Sequence, residues 1–329
     1  MFTWHKKIWD QLVSSASQQR MAHALLLHGP AGVGKLRFAV EYAKYMLCEQ
    51  PVSSQACGRC KSCSLSLSES GNTAHPDLHI IQPEEPGKAI KVDQIRALIS
   101  GLTLTRHTEG YRVVVISPAE SLNVSASNSL LKTLEEPPVN TLIILISNQV
   151  SQLLATIRSR TQMIHFPLPG TTDSLSWLRN EGMSNPELCL KLAGGAPLTA
   201  QQFGDSDTIS SRNSHFSDWQ DVAHGKADAI EIAAKWSKQG LNSASSMPIS
   251  WVYGWILDML RILQGASTDQ LSNNDFSEIL HNLAIQVDLD SLYKLVDRVN
   301  ESIRMMDSSA NQQMLLEGIL LNWAGLKRK

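Results

Sequence analysis

Apolar residues in the first half of the chain fall into short unbroken runs, separated by segments with helical spacing. Ala24-Leu25-Leu26-Leu27 is one such run, and His79–Ile81, Val113–Ile116 and Leu142–Ile146 are further examples. A strand exposes successive side chains to opposite faces, so an unbroken apolar run of this length predicts a strand buried on both sides. Between the runs the period changes. Phe38, Ala39, Tyr42, Ala43 and Met46 recur at helical spacing, residues 92–102 and 126–134 read as further helices, and Pro137-Pro138 stops the last of these. Ile8, Leu12 and Val13 mark an amphipathic opening helix. Strands alternating with helices predict a parallel sheet covered on both faces.

The second half loses the strand pattern. After the break at Pro167-Leu168-Pro169-Gly170, a short helical segment runs through Trp177 and Leu190 to about Phe203, and the polar stretch from Gly204 to Ser217 reads as a linker. Beyond it lie apolar helical stripes over 251–263, at Leu292, Leu295, Val296, Val299 and Ile303, and from Met314 to Trp323. Trp251, Tyr253 and Trp255 could stack on nucleic-acid bases, but their setting in an apolar helix favours core packing. The expected organisation is an α/β domain over 1–166, a small helical domain over 167–205 and a helical C-terminal domain over 206–329.

Composition narrows the function class. Of 329 residues, 43% are hydrophobic and 18% charged, which excludes wholesale disorder. Lysine and arginine (29) nearly balance aspartate and glutamate (31), a formal charge of -2. A chain that holds nucleic acid alone usually carries a basic excess, so any such contact must be local or shared with partners. No apolar run is long enough for a membrane span, and the opening Trp4-His5-Lys6-Lys7 lacks the apolar core of a signal peptide, so a cytoplasmic protein is expected.

Three motifs carry candidate chemistry. Gly29-Pro30-Ala31-Gly32-Val33-Gly34-Lys35 lies between a strand and a helix and fits a phosphate-binding loop, with Gly29, Gly32 and Gly34 letting backbone N–H groups close around phosphate and Lys35 reaching its terminal groups. The following position needs a hydroxyl for Mg²⁺ and holds Leu36 instead. The strand Val113–Ile116 runs into Ser117-Pro118, where hydrolysis requires an acidic pair, and Glu120 comes too late in sequence to supply it. The loop therefore predicts the fold while arguing against hydrolysis in this chain, with residual nucleotide binding left open.

Cys48, Cys57, Cys60 and Cys63 form C-x8-C-x2-C-x2-C, a set of four thiolates able to close a tetrahedral Zn²⁺ shell with no open position, hence structural. His75 and His79 are alternative ligands that fit better in the strand that follows, and Cys189 reads as a core residue. Arg158 and Arg160 flank Ser159 after Leu153-Leu154-Ala155-Thr156-Ile157. Surface arginines commonly carry no special role, although one at a domain edge could complete a neighbour's phosphate site.

These landmarks, together with Ser129-Leu130-Leu131-Lys132-Thr133-Leu134-Glu135-Glu136-Pro137-Pro138 and the later Ile157-Arg158-Ser159-Arg160, resemble the bacterial clamp-loader subunits of the AAA+ class, and among them the delta-prime type of DNA polymerase III. The resemblance covers about residues 1–205 by motif and the remainder by length and helical character. It implies an AAA+ α/β domain with an inserted four-cysteine zinc module (about 48–63), a helical lid and an all-α collar domain. It further implies that Arg160 is an arginine finger acting in trans on ATP held by an adjacent subunit, with Thr161 in place of the usual cysteine, and that Leu198 stands where active relatives carry a nucleotide-sensing arginine. The implied partners are the motor (gamma/tau) and delta subunits, with the sliding clamp and primer–template DNA reached through the complex, inside a DNA-directed DNA polymerase holoenzyme. A catalytically active motor subunit is the alternative, opposed by Leu36, Ser117 and Pro118.

Overall fold

The computed structural model describes residues 1–18, 20–66, 75–85, 87–103, 110–204, 206–239, 247–306 and 311–326. They form two compact units, one of residues 1–177 with 196–199 and the other of 178–195 with 200–329.

The first unit is built on five parallel strands: β1 (Ala24–His28), β2 (Leu78–Ile81), β3 (Arg112–Ile116), β4 (Thr141–Ser147) and β5 (Gln162–His165), in the order β2-β3-β4-β1-β5. The alternation expected of a doubly covered sheet is literal here. Leu25 and Leu27, Val113 and Val115, and Leu142, Ile144 and Ile146 join Trp9, Leu12, Phe38 and Tyr42 in one core layer, contributed by α1 (Lys6–Ser17) and α2 (Lys35–Leu47). Leu26, Val114, Ile116, Ile143 and Leu145 face the other way, against Ile95, Leu98 and Leu102 of α4 (Val92–Thr103) and Ala126, Leu130 and Leu134 of α5 (Val124–Glu135). A one-residue slip of any central strand would exchange its two faces. Asn123 caps α5, its side chain accepting from Ala126 N at 2.7 Å.

β5 has no counterpart among the apolar runs. Among the described residues it pairs with β1 alone, and Gln162, Met163 and His165 are exposed while Ile164 is buried, so an edge position spares it the apolar composition of the central strands. The short helix α3 (Lys61–Ser66) ends the cysteine segment and carries Cys63, and α6 (Ala155–Arg158) precedes β5.

The segment 167–203 contains three helices where the sequence suggests one: α7 (Thr171–Asn180), α8 (Pro186–Leu192) and α9 (Pro197–Phe203). Gly182, Asn185, Gly194 and Gly195 take positive φ in the intervening turns. The stretch expected to be a linker is a correction of another kind, because it is mostly the helix α10 (Ser206–Ala223). Its first half lacks an apolar stripe and is anchored by Arg212, which is 1% exposed, forks onto Asp275 (2.7 and 3.0 Å), donates to Asn273 Oδ1 (2.7 Å) and lies over the Phe276 ring. Hydrophobic periodicity carries no trace of such an anchor.

The second unit continues with α11 (Ala229–Gln239), α12 (Met247–Leu263), α13 (Ser277–Ala284), α14 (Leu289–Met306) and α15 (Gln312–Ala324). Its core holds four fully buried tryptophans, with Trp219 stacked on Trp323 at 4.0 Å and Trp236 and Trp255 beside them. Trp251 and Tyr253 pack against the same core, as their apolar setting implies. Among the described residues no helix is long and apolar enough to cross a membrane.

Candidate functional site

The glycine loop connects the end of β1 to the start of α2, so the N-terminal turn of that helix faces the C-terminal edge of the sheet. Gly34, at φ +94°, is the residue before α2, and a Cβ there would lie 2.6 Å from the Phe2 ring. Gly32, at φ +73°, would place a Cβ 2.0 Å from Thr199 Oγ1. The chain itself packs against both glycines, and Leu198 N donates to Gly32 O at 2.9 Å while Trp4 Nε1 donates to Val33 O at 3.1 Å. A loop shaped for phosphate is here also a packing surface for Phe2, Trp4 and Thr199.

Lys35 is 4% exposed. Its Nζ donates to Gly29 O (2.8 Å), Pro30 O (2.6 Å) and Asn148 Oδ1 (2.8 Å), which matches an ammonium's three protons with three acceptors. Burial pulls its pKa down to about 8, with the charge of Glu120 acting the other way. Leu36 packs against the core around α2, leaving a hydrocarbon at the position where a hydroxyl would hold a metal. Ser117 and Pro118 follow β3 as the strand reading implies, and Ser117 N donates to Ile81 O at 3.0 Å.

Glu120 lies nearer than sequence spacing suggests. The short turn Ala119–Ser121 carries its carboxylate to the end of β4, where Oε1 accepts from Asn148 N at 2.9 Å and Oε2 is buried without a hydrogen-bond partner. Asn148, immediately after β4, is the residue that sequence reasoning missed, since it links Lys35 on one side with Glu120 on the other. Its signal was a polar side chain directly following an apolar strand, which gains meaning only once β4 is known to lie beside β1.

The four cysteines come together as their spacing predicts. Their sulfurs all lie within 4.8 Å of one another, with Cys48 and Cys60 at 4.0 Å and Cys57 and Cys63 at 3.9 Å. Four thiolates around one Zn²⁺ at about 2.3 Å would be separated by about 3.8 Å, so the donor set and its spacing fit a tetrahedral metal shell. No pair is a disulfide. Backbone N–H groups of Arg59 and Cys60 hold the Cys57 thiol down to about 6, favouring thiolate, whereas burial pushes the Cys63 thiol up to about 12.

The segment is tied to its unit through Trp9 Nε1, which donates to Ser54 O at 3.0 Å, and is closed internally by Glu49 Oε1, which accepts from Ser62 N. His75 precedes β2 and does not belong to it. Its Nδ1 accepts from Asp77 N at 3.0 Å, which makes Nε2 the protonated nitrogen donating to Ser62 Oγ at 2.7 Å, so both ring nitrogens are committed away from the sulfurs. His79 lies within β2, and Cys189 is buried in the second unit.

Arg160 follows α6. Its Nε donates to Glu135 Oε1 at 2.6 Å, its Nη2 pairs with the same carboxylate, and its Nη1 donates to Thr156 O at 3.0 Å. The side chain is 34% exposed. Arg158 is half-buried, with its Nε enclosed and without a hydrogen-bond partner.

A family model described as DNA polymerase III, delta subunit, matches residues 4–169, and one described as DNA polymerase III, delta subunit, C terminal, matches residues 206–325. The DNA polymerase III subunit delta' of Pseudomonas aeruginosa is 34% identical over 342 aligned positions, covering 99% of this chain and 98% of that protein. The same subunit of Yersinia pestis is 30% identical, covering 98% and 95%, and that of Escherichia coli is 28% identical, covering 97% and 94%. Similarity that runs through both units and nearly the full length of these relatives favours the delta-prime reading over a motor subunit, and the chain belongs to the family of DNA polymerase III delta' subunits.

Proposed function

We propose that this chain is the non-hydrolysing member of a clamp loader, assembling with motor (gamma/tau) and delta subunits to place a sliding clamp on primed DNA for processive replication in the cytoplasm. In this reading residues 1–166 form the AAA+ domain, 167–205 a lid and 206–329 a collar domain. Arg160 reaches a neighbouring subunit's ATP, where a guanidinium can neutralise charge developing on the transferring phosphoryl group. Contacts with clamp and DNA are made through the complex, consistent with a formal charge of -2.

The observation that carries the reading is the chemistry around Lys35. Leu36 packs against the core around α2, Ser117 and Pro118 follow β3 without an acid, and all three protons of Lys35 are taken by the chain itself. The positions expected to ligate the metal and activate water thus hold Leu36, Ser117 and Pro118, and the nearby Glu120 carboxylate is turned to Asn148 N. Cys48, Cys57, Cys60 and Cys63 would hold Zn²⁺, which supplies a cross-link for a segment of little regular structure; with four protein ligands it leaves no place for substrate.

The test is a comparison of steady-state ATPase in the isolated chain and in the reconstituted loader. The isolated chain should show no turnover above background. In the loader, Arg160→Ala should lower clamp- and DNA-stimulated ATPase at unchanged assembly, partially because other ATP sites have their own arginines. Arg160→Lys should rescue poorly, lacking the planar fork. Turnover by the isolated chain that disappears in Lys35→Ala would overturn the reading in favour of a motor subunit.

A further inference from the structure

Arg160 is held by its own subunit. A guanidinium has five N–H donors in a planar fork, and its Nε/Nη2 edge receives a carboxylate or phosphate through two parallel bonds. In this chain Nε and Nη2 of that edge converge on the single oxygen Oε1 of Glu135, while Nη1 is shared between Thr156 O at 3.0 Å and Ser159 Oγ at 3.3 Å. Glu135, the last residue of α5, is 48% exposed, and Arg160 lies just beyond α6, so the pair bridges two helix ends at the surface without supporting a core.

We propose that Glu135 is a positioning residue that docks Arg160 in a resting position, and that the arginine engages a neighbour's phosphate by exchanging this carboxylate for the phosphate oxygens. The inference rests on the reading that Arg160 acts in trans. A phosphate can meet the Nε/Nη2 edge with two oxygens and more charge where Glu135 meets it with Oε1 alone, and at an interface from which water is excluded it outcompetes a solvent-exposed carboxylate. An exposed ion pair is weak enough to be exchanged readily, so the dock sets where the arginine waits without preventing its transfer. Weakening the dock should then raise the fraction of arginine available at the interface.

The experiment uses the complete loader reconstituted with wild-type chain, Glu135→Gln, Arg160→Ala or both substitutions, with assembly verified to be equal. Gln keeps the length and one acceptor oxygen while removing the charge. Glu135→Gln should raise stimulated kcat about two- to fivefold, the scale of an exposed pair, with KM for ATP unchanged. The double variant should match Arg160→Ala alone. In the isolated chain, the ¹⁵N-resolved Nε–H of Arg160 should exchange with water faster in Glu135→Gln than in wild type. An unchanged or lowered kcat in Glu135→Gln, or equal exchange of the Nε proton, overturns the dock while leaving the trans role standing if Arg160→Ala still lowers the rate. No effect of Arg160→Ala overturns the trans role itself.

Discussion

Lys35→Met separates a lysine built into the fold from one held ready for phosphate. Methionine keeps the unbranched stem of Lys35 while removing the charge and the three bonds to Gly29 O, Pro30 O and Asn148 Oδ1. Hydrogen bonds from a charged donor each contribute about 1.5–3 kcal/mol, on the order of 5–9 kcal/mol for three. Burial opposes them, because lowering the pKa from 10.5 to about 8 costs about 3 kcal/mol. The balance leaves Lys35 stabilising its unit by roughly 2–6 kcal/mol, and Lys35→Met should remove that amount at pH 7. The pH dependence has a definite sign. Below pH 8 both folded and unfolded chains hold the proton, and the burial cost is fully present. Between pH 8 and 10.5 the folded chain releases it first, the unfolded chain binds more protons, and stability rises with pH by up to about 3 kcal/mol. Referencing wild type to the variant cancels other groups, including Tyr42, whose hydroxyl is pushed up by burial. Urea unfolding followed by near-ultraviolet circular dichroism reports on the loop, because Phe2, Trp4 and Trp177 form one aromatic cluster beside it. A variant within about 0.5 kcal/mol of wild type at pH 7, with the same slope at high pH, would refute a structural role for this lysine.

Protein purified without chelator should contain about one Zn²⁺ per chain, and Cys60→Ser should lose it and expose residues 48–63 to proteolysis while the sheet survives; metal analysis and peptide mapping check both. The four sulfurs should bind metal more weakly as pH falls, since each must be deprotonated, and zinc release on acidification measures this. In the second unit, Asp258 is fully buried and accepts from Arg261 (2.7 Å), Ser272 N (3.1 Å), Asn273 N (2.7 Å) and Asn273 Nδ2 (2.8 Å). Asp258→Ala should therefore cost about 3–5 kcal/mol in urea unfolding, with Asp258→Asn costing less.

What the sequence made legible follows from how far each feature reaches along the chain. β1, β3 and β4 are central strands covered on both faces, so their apolar runs announce them, while β5 at the edge has no such run. The cysteine cluster was legible because its ligands span only 16 residues and their spacing constrains their geometry directly. The contacts that decide what the loop and the arginine do are of another kind. Asn148 meets Lys35 across 113 positions, and Glu135 meets Arg160 across 25. Both pairings exist because β4 lies beside β1 and α5 ends near α6, and no local pattern encodes that adjacency. Glu120 shows how spacing misleads in the same place. Counted along the chain it falls beyond the acidic position, yet a single turn after β3 brings its carboxylate to Asn148. An acid near the loop is thus present without the strand-end geometry that would aim it at a metal or a water. It acts instead on the charge of Lys35, which ties the glycine loop, β3 and β4 together through side chains that a hydrolase would direct at nucleotide.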